Sequence, residues 1–217
     1  MERPELVIFD CDGVLVDTEY LGNLAVSEYL AELGLAVSAL ESELLFTGLT
    51  NKATKLVVEK KFRCELADGF AGEIEIRIQR ALETGDFHAI PGARHAVDGV
   101  IAVGCPVCVA SNGEIAKMEI TLGRTGLLEK FNGRLFSKDD VARGKPAPDL
   151  FLYAADQMGF APCDCVVIED SAVGVRGAVE AGMRVLGYAP KGDTEGLSDL
   201  GAEVFPSMAE VPGLLGF

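Results

Sequence analysis

Short apolar runs recur along the chain, and most are followed by glycine, serine or acidic residues. The first run, residues 6–9, is typical of a fully buried parallel strand because it contains no polar position. From residue 93 onward, such runs alternate with segments whose apolar positions recur at helical spacing. This alternation predicts a parallel sheet with helices on both faces. The later strands are predicted at residues 106–110, 134–136, 165–168, 184–188 and 203–205, and the helices at 93–102, 114–124, 148–158, 172–181 and 207–215.

A purely helical pattern fills the chain between the first strand and about residue 87. Thr18 is a good N-cap residue, and apolar positions recur at helical spacing from there to Gly34. The sequence therefore predicts an α/β protein in two domains. An α/β core comprises residues 1–16 and 88–217, and an all-helical domain of residues 17–87 is inserted after the first strand. Further helices of this insert are predicted at residues 39–46, 50–63 and 66–84.

Composition narrows the class of protein. The 217 residues are 49% hydrophobic, enough for a sizeable core, and carry a net charge of -15, which argues against nucleic acid or anionic membranes as partners. No apolar run has the length of a membrane span, and the first residues lack a secretory signal pattern. Cys105 and Cys108 have zinc or redox spacing, but Cys108 falls in an apolar strand pattern, where cysteine is usually a core residue. We expect a cytoplasmic, reduced, monomeric protein with a small-molecule substrate.

Two acids follow the first strand at the point where the chain turns. Asp10 and Asp12 are separated by one residue and precede Gly13. Ligands of open parallel sheets bind beyond the carboxyl ends of the strands, so these carboxylates predict a hard-cation site with nucleophilic chemistry. An ordinary turn remains the alternative on this stretch alone. A calcium loop is excluded because the twelfth position, Leu21, offers no carboxylate.

The apolar run at 166–168 repeats this design and ends on Glu169 and Asp170. Such acids are also found capping a helix or complementing its dipole. Two neighbouring strands that both end on acids would, however, bring carboxylates together, and these repel one another unless a cation intervenes. Mg2+ accepts a few carboxylates together with phosphate oxygens. Metal-assisted phosphoryl chemistry is therefore the economical interpretation.

Two further segments supply groups that bind anions. Ser111 and Asn112 end the strand at 106–110 just before a predicted helix, where backbone N–H groups can hold phosphate oxygens, although a plain N-cap is the alternative. Lys145 lies between Gly144 and Pro146 in a loop stiffened by proline. A lysine held there can neutralise a phosphoryl group or orient a carboxylate, and a solvated lysine is an equal alternative on local residues.

Together these motifs resemble those of the haloacid dehalogenase superfamily of hydrolases, in the order that the family shows. They are Asp10-x-Asp12-Gly13-Val14-x-x-Asp17-Thr18, Ser111-Asn112-Gly113, Lys145-Pro146 and Glu169-Asp170. The helical insert is similar to the cap of the beta-phosphoglucomutase-like branch. The resemblance implies a Rossmann-like core with a mobile helical lid.

The resemblance also implies a role for each motif residue. Asp10 would attack phosphorus and form an aspartyl phosphate, and Asp12 would act as general acid and then general base. Ser111, Lys145 and the backbone N–H of Asn112 would bind the phosphoryl group. Mg2+ would be held by Asp10, the Asp12 carbonyl and Asp170. Glu169 would reach the metal through water or would pair with Lys145.

Hydrolysis is favoured over phosphoryl migration by the cap sequence. Mutases of this branch carry a histidine where this chain has Gly22, and basic residues where it has Thr47 and Asn51. The resemblance therefore implies a phosphatase of sugar or sugar-acid phosphates, 6-phosphogluconate among them, with a phosphomutase as the alternative. Lys52 and Lys55 would meet an acidic substrate tail, or are solvated helix charges. The cap residues expected to select the substrate are Glu19, Gly22, Asn51, Lys52 and Lys55.

Overall fold

The computed structural model describes residues 3–46, 49–193 and 196–217. The chain divides into two compact units. The larger unit comprises Met1–Asp17 and His88–Phe217, and the smaller unit comprises Thr18–Phe87.

The larger unit is built on a six-stranded parallel sheet, which confirms the predicted α/β class. Its strand order is β5-β4-β1-β6-β7-β8, and β2 and β3 form a separate antiparallel pair. That pair was not predicted because two-residue strands carry no readable periodicity. The strands are β1 (Leu6–Phe9), β2 (Val16–Asp17), β3 (His88–Ala89), β4 (Val107–Ser111), β5 (Leu135–Ser137), β6 (Cys165–Glu169), β7 (Arg184–Tyr188) and β8 (Glu203–Phe205).

Strand β1 lies at the centre of the sheet, between β4 and β6. All four of its residues are fully buried, and they alternate between the two faces. Val7 and Phe9 belong to one core cluster, and Leu6 and Ile8 belong to the other. A strand covered on both faces must be apolar at every position, which is why this run lacks polar residues.

Among the described residues of the smaller unit, helices are the only regular elements, and the unit has its own core. Thr18 is the N-cap residue of the first helix, as predicted, although its side chain makes no cap hydrogen bond. Thr50 caps the third helix by accepting a hydrogen bond from the Ala53 N–H. The fourth helix begins at Phe70, later than predicted, because a turn at residues 68–69 precedes it. The helices are α1 (Glu19–Glu32), α2 (Ala39–Phe46), α3 (Asn51–Phe62) and α4 (Phe70–Thr84).

Helices of the larger unit pack on both faces of the sheet. The predicted helix at 207–215 is divided into a 3-10 turn, Met208–Glu210, and a four-residue helix with Pro212 in its first turn. The helices are α5 (Ala93–Ala102), α6 (Ile115–Arg124), α7 (Leu128–Phe131), α8 (Asp149–Met158), α9 (Ala172–Glu180) and α10 (Val211–Leu214). Within the described ranges, no helix combines the length and apolar character needed to cross a bilayer.

Candidate active site

Three neighbouring strands end at the same edge of the sheet and carry predicted site residues there. Asp10 follows β1 directly, Ser111 is the last residue of β4, and Glu169 is the last residue of β6. The chain leaves β1 toward β4 and later returns to β6 on the other side, so this edge lies at the topological switch point of the sheet. Open α/β sheets bind their ligands in the crevice at such a point.

Lys145 joins two of these strand ends. Its Nζ donates to Asp10 Oδ1 at 2.5 Å and to Glu169 Oε1 at 2.7 Å, and all three residues are buried. Burial by itself lowers the pKa of Lys145, but the charges of Asp10 and Glu169 outweigh it and raise the pKa above its ordinary value. Lys145 is therefore a fixed ammonium, and the solvated alternative is excluded.

The surroundings of the Asp10 carboxyl group shift its pKa. Burial raises the pKa of Asp10 to about 7, Lys145 opposes this rise, and the nearby charges of Glu169 and Asp12 add to it. A further positive charge beside Asp10 would favour its carboxylate form, which is the form that acts as a nucleophile.

Asp10 also belongs to a cluster of acids that fits a divalent cation. Carboxylate oxygens of Asp10, Glu169 and Asp170 lie within 4.8 Å of one another. Asp170 packs against the backbone of Gly13, where φ is 80° and a Cβ would lie 1.9 Å from Asp170 Oδ2. Glycine is thus required at position 13 by both conformation and space. An all-oxygen donor set of this kind suits Mg2+.

A second ammonium lies at this site and was missed by the sequence analysis. Lys117, in the first turn of α6, donates from Nζ to Asp12 Oδ2 at 2.7 Å. A lysine placed just after the Ser111 strand end was the signal available in the sequence. Four carboxylates and two ammoniums leave the site with a formal charge that one divalent cation neutralises. These six groups are Asp10, Asp12, Lys117, Lys145, Glu169 and Asp170.

Glu169 has a double role in the loop after β6. Its Oε2 accepts from the N–H groups of Asp170 and Ser171 and from Ser171 Oγ, while Oε1 accepts from Lys145. Of the two roles that the resemblance offered, the hydrogen bonds favour the partner of Lys145. The Lys145 ammonium therefore supplies part of the positive charge that the acids at the ends of β1 and β6 require between them.

The Asn112 side chain holds the backbone of Lys145, a function that its sequence position did not reveal. Its Oδ1 accepts from the Lys145 N–H at 2.9 Å, and its Nδ2 donates to the Lys145 carbonyl at 3.0 Å. Ser111 Oγ accepts from the Gly113 N–H at 3.0 Å, and Ser137 Oγ donates to the Gly113 carbonyl at 2.8 Å. The loop after β4 is thus tied to the backbone of Lys145 and to the side chain of Ser137 at the end of β5.

The predicted cap residues all fall in the smaller unit, and their approach to substrate stays a prediction. Asn51 Nδ2 donates to Glu75, Lys52 is exposed, and a Cβ at Gly22 would meet open space. Lys55 forms loose ion pairs inside this unit, with Glu59 at 3.8 Å and Asp68 at 3.6 Å. Thr47 and the side chain of Glu19 lie outside the described residues.

The arrangement of strand-end acids around a buried lysine agrees with comparison to known families. A model of haloacid dehalogenase-like hydrolases matches residues 4–182. The chain belongs to this family.

Individual members of the haloacid dehalogenase-like hydrolases extend the likeness to the whole chain. The 6-phosphogluconate phosphatase of Escherichia coli strain K12 is 29% identical over 99% of this chain and 96% of that protein. Hexitol phosphatase A of the same organism is 30% identical over 89% of this chain and 87% of that protein. A hydrolase of Deinococcus radiodurans R1, solved with phosphate and sodium, superimposes with a TM-score of 0.83 at 32% identity, covering 99% of this chain and 96% of that one.

Proposed function

We propose that this hydrolase is a Mg2+-dependent phosphatase that acts on small phosphomonoesters through an aspartyl phosphate on Asp10. The observation that carries the proposal is the buried contact of Lys145 with Asp10 and Glu169, beside the Asp170 carboxylate. A fixed ammonium next to a nucleophilic carboxylate is suited to the charged oxygens of a transferring phosphoryl group. Sugar and sugar-acid phosphates are the proposed class because the chain resembles two phosphatases named for such compounds.

The proposed reaction has two steps. The Asp10 carboxylate attacks phosphorus, the bond from phosphorus to the ester oxygen breaks, and Asp12 gives that oxygen a proton. Asp12 then takes a proton from water, which attacks the aspartyl phosphate and releases inorganic phosphate with Asp10 restored. Lys145 and the Ser111 hydroxyl hold phosphoryl oxygens during both steps.

The metal would be held by Asp10, Asp170 and the carbonyl of Asp12. When bound, it supplies positive charge next to the transferring oxygens. Glu169 contributes through its contact with Lys145 and through the hydrogen bonds that fix the Asp170 backbone.

The test is phosphate release from a panel of 6-phosphogluconate, hexitol phosphates, hexose phosphates and p-nitrophenyl phosphate, with Mg2+ and with chelator. We expect metal-dependent release from at least one sugar or sugar-acid phosphate and none from the Asp10→Asn variant. The Lys130→Met variant serves as a control, since Lys130 pairs with Asp98 outside this site. Equal rates for wild type and Asp10→Asn on every compound would refute the proposal.

Glucose 1-phosphate separates hydrolysis from phosphomutase action. A phosphatase that accepts it releases free phosphate, whereas a mutase accumulates glucose 6-phosphate without free phosphate. We expect the first result because Gly22 presents no side chain at the helix position where the resemblance places the mutase histidine.

A further inference from the structure

The ion pair between Lys117 and Asp12 connects two distant segments at the proposed site. Lys117 lies on α6, and Asp12 lies in the loop after β1, 105 positions earlier in the chain. A Cβ placed on Gly113 would lie 3.7 Å from Lys117 Cδ and 3.8 Å from Asp12 Oδ2, so the loop after β4 packs along the pair. The pair thus lies where the loops after β1 and β4 meet.

The two lysines of the site form ion pairs with different acids. Lys145 binds Asp10 and Glu169, whereas Lys117 binds Asp12. Asp12 is close enough to Asp10 for the two charges to interact, and like charges repel. The Lys117 ammonium, 2.7 Å from Asp12 Oδ2, offsets this repulsion.

We propose that Lys117 is a positioning residue: by donating to Asp12 Oδ2, it orients the Asp12 carboxyl group so that the other oxygen carries the proton that passes to the leaving oxygen. This inference rests on the proposed phosphatase function. Proton transfer requires the acid within hydrogen-bond reach of the oxygen, and a displacement of about 1 Å is enough to cost about 100-fold in rate.

A purely structural ion pair of similar exposure exists in the same unit and provides a matched control. Lys130 Nζ lies 2.6 Å from Asp98 Oδ1, with side chains 31% and 46% exposed, compared with 33% and 28% for Lys117 and Asp12. Exposed pairs of this kind contribute about 1 kcal/mol or less to stability, so loss of either pair should leave the fold intact.

The choice of leaving group distinguishes a positioning role of Lys117 from a purely structural one. The p-nitrophenolate ion departs without a proton, whereas the alkoxide of a sugar phosphate needs one. The value of kcat/KM reports steps up to departure of the leaving group, before water attacks. For Lys117→Met, we expect kcat/KM to fall about 100-fold on a sugar phosphate and about threefold or less on p-nitrophenyl phosphate. Lys117→Arg should recover most of the loss, and Lys130→Met should change neither value.

An equal loss on both substrates, or no loss on the sugar phosphate, would overturn the inference. A crystal structure of Lys117→Met provides a readout that does not depend on turnover. We expect the Asp12 carboxylate to rotate away from its wild-type conformer, and to keep that conformer in Lys130→Met. If wild type released no phosphate, the proposed function would fail, and an unmoved Asp12 in Lys117→Met would separately overturn the positioning role.

Discussion

Gly174, in the first turn of α9, provides a sharp test of how the buried carboxylate of Glu169 is accommodated. An alanine Cβ at this position would lie 1.6 Å from Glu169 Oε1 and 1.9 Å from its Cδ. The backbone of Gly174 is helical and accepts alanine, and the three atoms nearest to the added Cβ all belong to the Glu169 side chain. Gly174→Ala must therefore displace this carboxylate from Lys145 and from the backbone N–H groups of Asp170 and Ser171, which donate to it.

The size of the effect follows from two opposing contributions. Alanine in place of a helical glycine stabilises a protein by about 1 kcal/mol when it fits. Displacing Glu169 breaks a buried ion pair at 2.7 Å and leaves the donors of Ser171 and Asp170 without this acceptor. Removing one partner of a buried pair costs about 3–5 kcal/mol. We expect a net loss of about 3 kcal/mol, which lowers Tm by about 10 °C in a protein of this size.

Differential scanning calorimetry of wild type and four variants measures this loss: Gly174→Ala, Gly123→Ala, Glu169→Ala and the double variant Glu169→Ala/Gly174→Ala. Gly123→Ala is the matched control, because a Cβ on that α6 residue would meet only Leu128 Cδ2, at 3.8 Å. We expect its Tm to equal or exceed that of wild type. In a Glu169→Ala background the obstacle is gone, so adding Gly174→Ala should not lower Tm further. The reasoning is wrong if Gly174→Ala melts like Gly123→Ala, or if it costs the same Tm in both backgrounds.

Three further predictions address the site. Asn112→Ala should lower kcat about tenfold with little change in Tm, because the Lys145 backbone loses its two hydrogen bonds to the Asn112 side chain. An unchanged kcat in steady-state assays would contradict this. Because the pKa of Asp10 is raised to about 7, metal binding must release a proton below that pH. Calorimetric Mg2+ affinity should therefore rise up to about tenfold per pH unit from pH 5.5 to 7 and level off above, and a flat profile would argue against Asp10 as a ligand. A thiol reagent should modify exposed Cys163 first and leave Cys11 unmodified until unfolding, since burial raises the pKa of Cys11; early reaction at Cys11 would contradict its burial.

The sequence predicted most of the larger unit because its central strands are uniformly apolar. The runs that form β1, β4 and β6 read directly as buried parallel strands, and each has polar residues at its end. Short elements were missed for a physical reason. Helix α7 and the pair of β2 with β3 span too few residues for a hydrophobic period to appear.

Site residues that act from strand ends were predictable, whereas those that act through a neighbour were not. Asp10 and Glu169 follow buried runs, so their positions carried the signal. Lys117 looks like an ordinary helix charge in the sequence, and the Asn112 side chain looks like a cap residue. Their contacts with Asp12 and Lys145 cross 105 and 33 positions, and no local pattern records such pairings.

If Asp10 accepts the phosphoryl group, the phosphorylated form of the enzyme must carry that group on the Asp10 carboxylate. Wild type is mixed with Mg2+ and the sugar phosphate that it turns over fastest, stopped with acid within one turnover, digested and mapped by mass spectrometry. We expect a base-labile phosphoryl group on Asp10, absent when Mg2+ is chelated and absent from Asp10→Asn. Rapid turnover with the phosphoryl group on a different residue, or with full activity in Asp10→Asn, would contradict it.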